Sequence, residues 1–415
     1  MGPLAGLRVV EFTTAWAGPM AGRILAHLGA EVIHVESDTR LDSWRQHGQV
    51  FSPGRYPRDG AGARPWNRVA LFNSQNENKL SLTLDVKKPG GLAAMRRLLA
   101  KTDVVLCNFT AGTLDRMGVG YEAARAVRPD IIVIEMPAFG STGPMSHATA
   151  IGPTMEMAAG MAAMIGYPGG PPSITGPTYP DPIGAFHGAA AVMTALMHRQ
   201  RTGEGQHVEV PQVEAAMHYI GEHILHAIET GAPPMPRGNH VDYAAPHDAY
   251  PAAGTDEWVA IAVTGDAAFA VLCAVIGAPA LALDPRFATT ADRQRNQDDL
   301  REPIARWTRQ HDKHAAAAVL QDAGVTAAPV NGGRDGAASA YLAARGWFTV
   351  LDHPDIGPVA HESLPFHFSQ TPGSQHRAAP AFGQDTLAIL RDIIGLSEAE
   401  IAAMAAAGTI SAVPA

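Results

Sequence analysis

Two periods of apolar and polar positions alternate along this chain, and the switches between them mark its elements. Residues 7–12 read as a buried strand, residues 17–29 as a helix, and residues 31–36 alternate as a second strand. A β-α-β opening with so short a crossover starts a parallel sheet. The same reading gives strands over 80–86, 103–108 and 131–136, a helix from Pro89 to Leu99 and a helical segment at 113–117. A strand at 206–210 and a helix near 211–229 follow. From Glu257 the pattern changes to a strand, then helical runs to about residue 322, and a short strand at 324–330. A helix pair over 385–395 and 397–407 closes the chain. Residues 40–70 carry no period, 232–253 are a Pro/Gly/His/Asp-rich connector, and 331–386 contain many turns with an apolar piece at Gly346-Trp-Phe-Thr-Val350. The first of these is expected to be a long ordered loop, and such loops are often functional. Methionines 155, 157, 161 and 164 are expected to fill a core. The class is α/β, with no visible internal repeat.

One stretch concentrates candidate chemistry: Thr178-Tyr-Pro-Asp-Pro-Ile-Gly-Ala-Phe-His-Gly188. Asp181 precedes Pro182, which predicts a helix with the aspartate as N-cap and the proline at the first helical position. The helix runs to Arg201 and stops at Thr202-Gly-Glu-Gly205. Gly184 and Gly188 leave one side of the first turn bare, which would admit a substrate. Asp181 reads either as a cap alone or as a nucleophilic carboxylate, kept ionised by helix N–H groups and the positive end of the dipole. Local sequence does not choose between them.

Composition narrows the field. The 415 residues are 46% hydrophobic and 17% charged, which fits a globular protein of two or three domains. A net charge of −9 without a basic run argues against a nucleic-acid partner. Two cysteines, both in apolar runs, imply no disulfide framework and a reducing compartment. With no signal peptide and no long apolar run, a cytoplasmic protein without a membrane partner is expected. Gly18-Pro-Met-Ala-Gly22 is not the G-x-G-x-x-G of dinucleotide-binding folds, so nicotinamide or flavin binding has little support. His218, His223 and His226 lie on one helix, where His223 and His226 share a face but lack a placed third ligand, so no metal is expected.

Read together, these motifs resemble family III CoA-transferases over essentially the whole chain. The markers are Leu4-Ala-Gly-Leu-Arg-Val-Val-Glu-Phe12, Ala17-Gly-Pro19, Leu28-Gly-Ala-Glu-Val-Ile33, Asn78-Lys79, Asn108-Phe109, Leu114-Asp-Arg-Met-Gly118 and Phe139-Gly140. Gly169-Gly-Pro-Pro172, the Asp181 stretch, Arg201-Thr-Gly-Glu-Gly-Gln206, Asp284-Pro-Arg-Phe287, Ala379-Pro380 and Gly383-Gln-Asp-Thr386 complete the set.

The resemblance implies a Rossmann-like large CoA-binding domain built from both chain ends (1–225 and 335–415). It also implies a smaller α+β middle domain (232–330) and an interlocked homodimer. It implies that Asp181 is the nucleophile, moving CoA from an acyl-CoA to a small carboxylic acid through aspartyl-anhydride and aspartyl-CoA intermediates, with no tightly bound cofactor. Ala15, Trp16 and Ala17 would border the thioester, and Lys79, Asn108, Phe109 and Arg116 would contact the rest of CoA. Phe139 joins the binding set, and Arg40 would stand in for a basic residue missing after the second strand. Two alternatives are an α-methylacyl-CoA racemase and a non-catalytic CoA-binding protein. The racemase branch pairs its aspartate with a histidine, whose place Ile151 takes here; His147 lies four residues too early. The region of the formyl-CoA enzyme's glycine-rich loop is here Arg237-Gly-Asn-His-Val-Asp242. His240, Asp242 and Tyr243 are therefore expected at the acyl or acceptor site, and the donor and acceptor stay open.

Overall fold

The computed structural model describes residues 2–45, 60–411 and 413. Residues 46–59 of the expected 40–70 loop lie outside the described residues. The chain divides into two compact units. The first comprises Met1–Met161, Ile174–Thr230 and Ala343–Ala415, and the second comprises Ala162–Ser173 and Gly231–Leu342.

The first unit is built on six parallel strands: β1 (Arg8–Phe12), β2 (Glu31–Glu36), β3 (Leu80–Thr83), β4 (Val104–Cys107), β5 (Ile132–Glu135) and β6 (His207–Glu209). Their spatial order is β3-β2-β1-β4-β5-β6, so the winding reverses between β1 and β4. That reversal opens a crevice at the carboxyl ends of the strands. Both faces are covered because successive side chains point to opposite sides. Val10, Phe12, Ile33, Val35, Leu82 and Val105 pack with the helix α2 (Gly91–Leu99) and with Ile389, Leu390 and Met404 near the chain end. Val9, Val32, Val104, Leu106 and Ile134 face the other way, toward α1 (Ala17–His27) and a 23-residue helix over Pro180–Thr202. Cys107 and Cys273 are buried and unbridged, as small apolar residues would be.

The edge strand β3 is not left open. Its Ser81 and Thr83 amides donate to the side chains of Asp385 and Thr386, and the Asp385 amide returns a bond to Ser81. Asn78 and Asp85, flanking the strand, bond to Arg377 and Thr409. The last forty residues thus seal the edge that the parallel sheet exposes.

In the chain order of helices, α3 is Gly152–Ala158 and α4 is the long Pro180–Thr202 helix. The methionine expectation holds only in part, because Met155 and Met161 are buried while Met157 is 59% exposed. The second unit holds an antiparallel sheet of β7 (His247–Pro251), β8 (Trp258–Ala262) and β9 (Thr326–Pro329), covered by helices over Asp266–Val275, Gln297–Thr308 and Lys313–Asp322. Back in the first unit, the apolar piece near residue 348 is one arm of a hairpin, β10 (Phe348–His353) with β11 (Gly357–Glu362). The closing helix pair has an unexpected first member: Ile389–Ile394 winds as a π-helix before Glu398–Ala406, which Ser397 caps.

Candidate active site

Asp181 lies inside the first turn of α4, not before it. The helix begins at Pro180 with Tyr179 in the capping position, so the expected N-cap role is wrong by two residues. The reason is that Tyr-Pro-Asp-Pro offers two prolines, and the earlier one takes the first helical position. Two donors near the carboxylate, the backbone N–H of Ala17 and the hydroxyl of Thr178, favour its charged form. Ala17 is the first residue of α1, so the amide near Asp181 belongs to another helix's N-terminus. Burial pushes the Asp181 carboxyl up to about 6, against the lowering by Ala17 and Thr178. It therefore stays mainly ionised at neutral pH, but as a more basic carboxylate than an ordinary aspartate.

The glycines around this carboxylate mark close packing, and not bare space as the sequence suggested. A Cβ on Gly184 would lie 3.0 Å from the Gln212 side chain, and one on Gly188 would lie 2.6 Å from the Met136 sulfur. Those two positions are filled by protein and seat the helix against the sheet. Gly152, the first residue of α3, packs directly against the nucleophile candidate: a Cβ there would lie 2.3 Å from Asp181 Oδ2 and 2.5 Å from Thr178 Oγ1. Thr178 itself has φ +54, an outlier for a β-branched residue, and Ala15 has φ +61. Strained backbone thus stands on both sides of the carboxylate.

At the crevice where the winding reverses lies a cavity of ≈ 820 Å³. It is lined by Phe12, Thr13 and Thr14 at the end of β1, by Glu36, Ser37 and Thr39 to Ser43 at and after the end of β2, by Leu84 to Lys87 after β3, and by Phe109, Thr110, Thr113, Arg116 and Met117 after β4. Its cations are Arg40, Lys87 and Arg116. The Arg40 guanidinium lies over the Phe109 ring, 4.9 Å from its centroid. Arg116 donates to Thr113 Oγ1 at 2.8 Å, close to the cavity wall. Two residues, Ala15 and Trp16, separate the cavity-lining Thr14 from the Ala17 amide near Asp181.

The expected binding residues divide accordingly. Arg40, Phe109 and Arg116 line the cavity. Lys79 does not: it is fully buried, ion-paired with Glu11 at 2.7 Å and bonded to the Pro19 carbonyl and Asn76. A phosphate cannot reach it, and Lys87, eight residues on, takes the place beside the cavity. Asn108 is a brace, accepting from Thr14 N–H and donating to Thr14 O, both at 2.9 Å. Ala15 and Trp16 form the turn before Ala17, and the Trp16 ring lies 5.8 Å from that of Trp44. Phe139, just past β5, is half-buried and lies outside the residues that line the cavity.

Ile151, where the racemase branch has histidine, is 68% exposed, and His147 is exposed as well. In the second unit, His240 and Asp242 line a separate cavity of ≈ 330 Å³ together with Arg237, and Tyr243 is 72% exposed. Asp42, Ser43 and Thr14 were not singled out by sequence. Asp42 and Arg45, three apart after the second strand with Trp44 between them, are the signal that could have found them.

Comparison with known proteins gives the family. The model of CoA-transferase family III matches residues 4–386. The succinyl-CoA–D-citramalate CoA-transferase of Chloroflexus aurantiacus is 33% identical over 97% of both chains. The succinate–glutarate CoA-transferase of Agrobacterium fabrum is 30% identical over 94% of this chain and 96% of its own. A CaiB/BaiF family protein from Brucella suis superposes with a TM-score of 0.84 at 29% identity, over 95% of this chain and 99% of that one. The chain therefore belongs to CoA-transferase family III and is an enzyme of the CoA-transferase class.

Proposed function

We propose that this enzyme moves CoA from an acyl-CoA to a free carboxylic acid with Asp181 as the nucleophile. The observation that carries the reading is a half-buried, basic carboxylate close to the N–H of Ala17, three residues after the cavity-lining Thr14. CoA would lie in that cavity, its phosphates near Arg40, Lys87 and Arg116 and its thioester toward the Thr14–Ala17 turn.

The Asp181 carboxylate attacks the thioester carbonyl, the C–S bond breaks, and an aspartyl–acyl anhydride and CoA thiolate result. The thiolate attacks the aspartyl carbonyl of the anhydride, giving an aspartyl-CoA thioester and the first carboxylate. The acceptor carboxylate attacks that thioester, forming a second anhydride and releasing the thiolate. Attack of the thiolate on the acceptor's carbonyl yields the new acyl-CoA and restores Asp181. No net proton is consumed. Each tetrahedral adduct puts charge on an oxygen beside Asp181, where the Ala17 amide can stabilise it.

The exposed Ile151 gives no second acid or base to Asp181, which favours transfer over racemisation. The dicarboxylic acceptors and succinyl donors in the relatives' names make succinyl-CoA the first donor to try. We also propose a homodimer, supported by apolar surface on Tyr179, Phe186 and Met197 of α4 and on the helix Gly221–Thr230, which buries no residue of its own. Among the described residues no helix is long and apolar enough to cross a membrane, and a cytoplasmic location is part of the same reading.

The test is incubation with a panel of acyl-CoAs and carboxylic acids, read by mass spectrometry, with hydroxylamine trapping of the protein adduct. New acyl-CoA and a modified Asp181 are expected, and Asp181→Ala should lose both. Full turnover by that variant, or an adduct on another residue, would overturn the mechanism. Exchange of an α-proton in deuterated water without an acceptor would favour the racemase.

A further inference from the structure

The Ala17 amide near Asp181 follows a turn whose conformation is costly. Ala15 is left-handed at φ +61, a region alanine avoids, and nothing in its own side chain repays this. The turn is held from outside. Asp42 Oδ1 accepts from the Ala15 N–H at 3.1 Å and from the Trp44 N–H at 2.7 Å. Asp42 is 2% exposed, and its own N–H donates to Glu36 Oε1 at 2.9 Å. Glu36 is gripped through both oxygens by Arg45 Nε. The clamp is thus anchored at the carboxyl end of β2, not adrift in a loop.

The other half of this carboxylate is expensive to keep. Asp42 Oδ2 is buried without a hydrogen-bond partner, and so is His34 Nε2, 3.9 Å away. Burying a charge that is not fully bonded opposes folding. A strained turn and an under-satisfied carboxylate, in direct contact beside the nucleophile, mark a place where stability yields to function. Asp42 also lines the main cavity, so the same side chain touches both the CoA space and the turn.

We propose that Asp42 is a positioning residue: its carboxylate fixes the Thr14–Ala17 turn so that the Ala17 N–H points at Asp181 and at the oxyanion formed there. This assignment rests on the nucleophile reading of Asp181. It gives Asp42 no contact with the reacting atoms. Its effect falls on the chemical step, because only the aim of the amide changes. Asparagine keeps an acceptor oxygen at the same reach and can replace it, whereas alanine cannot.

The experiment measures turnover with succinyl-CoA and the acid panel, CoA affinity by calorimetry, and the rate of adduct formation by hydroxylamine trapping. Asp42→Ala is expected to lower kcat and the trapping rate about 30-fold or more, with KM and CoA affinity changed less than about threefold. Asp42→Asn should restore most of the rate. Glycine adopts the left-handed turn without strain, so Ala15→Gly added to Asp42→Ala should recover part of it. If Asp42→Ala does not fold, Asp42→Ser, too short to reach both amides, carries the same expectation. An unchanged kcat, a loss confined to CoA affinity, or an Asp42→Asn as poor as Asp42→Ala would each overturn the assignment. Asp181→Ala run alongside separates the two readings. If it keeps full turnover, the nucleophile reading falls; if it is inactive while Asp42→Ala is normal, only Asp42's role falls.

Discussion

At the scale of single residues, the basicity of Asp181 sets two expectations with opposite signs. Catalysis needs the ionised form, so kcat/KM should fall as pH drops through about 6, and a pH–rate profile checks this. Stability runs the other way. The folded state holds this proton more tightly than the unfolded chain, from the ordinary 3.8 up to about 6, so the carboxylate opposes folding above pH 6. Asp181→Asn should therefore be more stable than the parent at pH 8, by at most about 3 kcal/mol and less for partial solvent screening. The gain should fade as pH falls from about 6 to 3.8, as urea titrations at several pH values would reveal. Gly152→Ala is the steric counterpart. Its Cβ would collide with Asp181 Oδ2, and displacement of the nucleophile should lower kcat about 100-fold while the protein still folds. Which lysine borders the main cavity was hidden at this scale. Lys79 and Lys87 are chemically alike, and only the three-dimensional pairing of Lys79 with Glu11 decides between them.

At the scale of elements, the parallel strands were legible because burial on both faces leaves near-continuous apolar runs. The charges inside them were not. Glu11 and His34 sit on adjacent strands and bond at 2.7 Å, a match that appears only in register. The β10–β11 hairpin escaped because Thr349, Val350 and Asp352 mix apolar and polar types on a largely exposed ribbon. It is tied to α1 by Glu77, which lies 3.0 Å from His27 and 2.7 Å from His361. Despite burial, these partners hold the Glu77 carboxyl down to about 2. A depressed carboxyl contributes stability above its ordinary value of 4.5 and loses it as pH falls toward 2. Glu77→Gln should thus cost about 3 kcal/mol at pH 7, with the two proteins converging between pH 4.5 and 2. Denaturant unfolding measures the cost, and hydrogen exchange should find the hairpin loosened first.

At the scale of the whole molecule, the proposed dimer predicts a particle of twice the 43.6 kDa chain by sedimentation. Replacing Tyr219, Leu225 and Ile228 with serine should shift it toward the monomer, since these side chains are 58%, 63% and 74% exposed in the single chain. The sealed edge of β3 has a different consequence, one of timing. A chain is made from its N-terminus, and all six strands leave the ribosome long before residues 377–411 exist. Through that interval β3 presents bare amides, and the wall of the crevice beside it is unbraced. The nascent protein is therefore open to wrong pairing until that segment is made. A stop codon after residue 376 should yield aggregate rather than a weaker enzyme, which fractionation of the translated product would reveal.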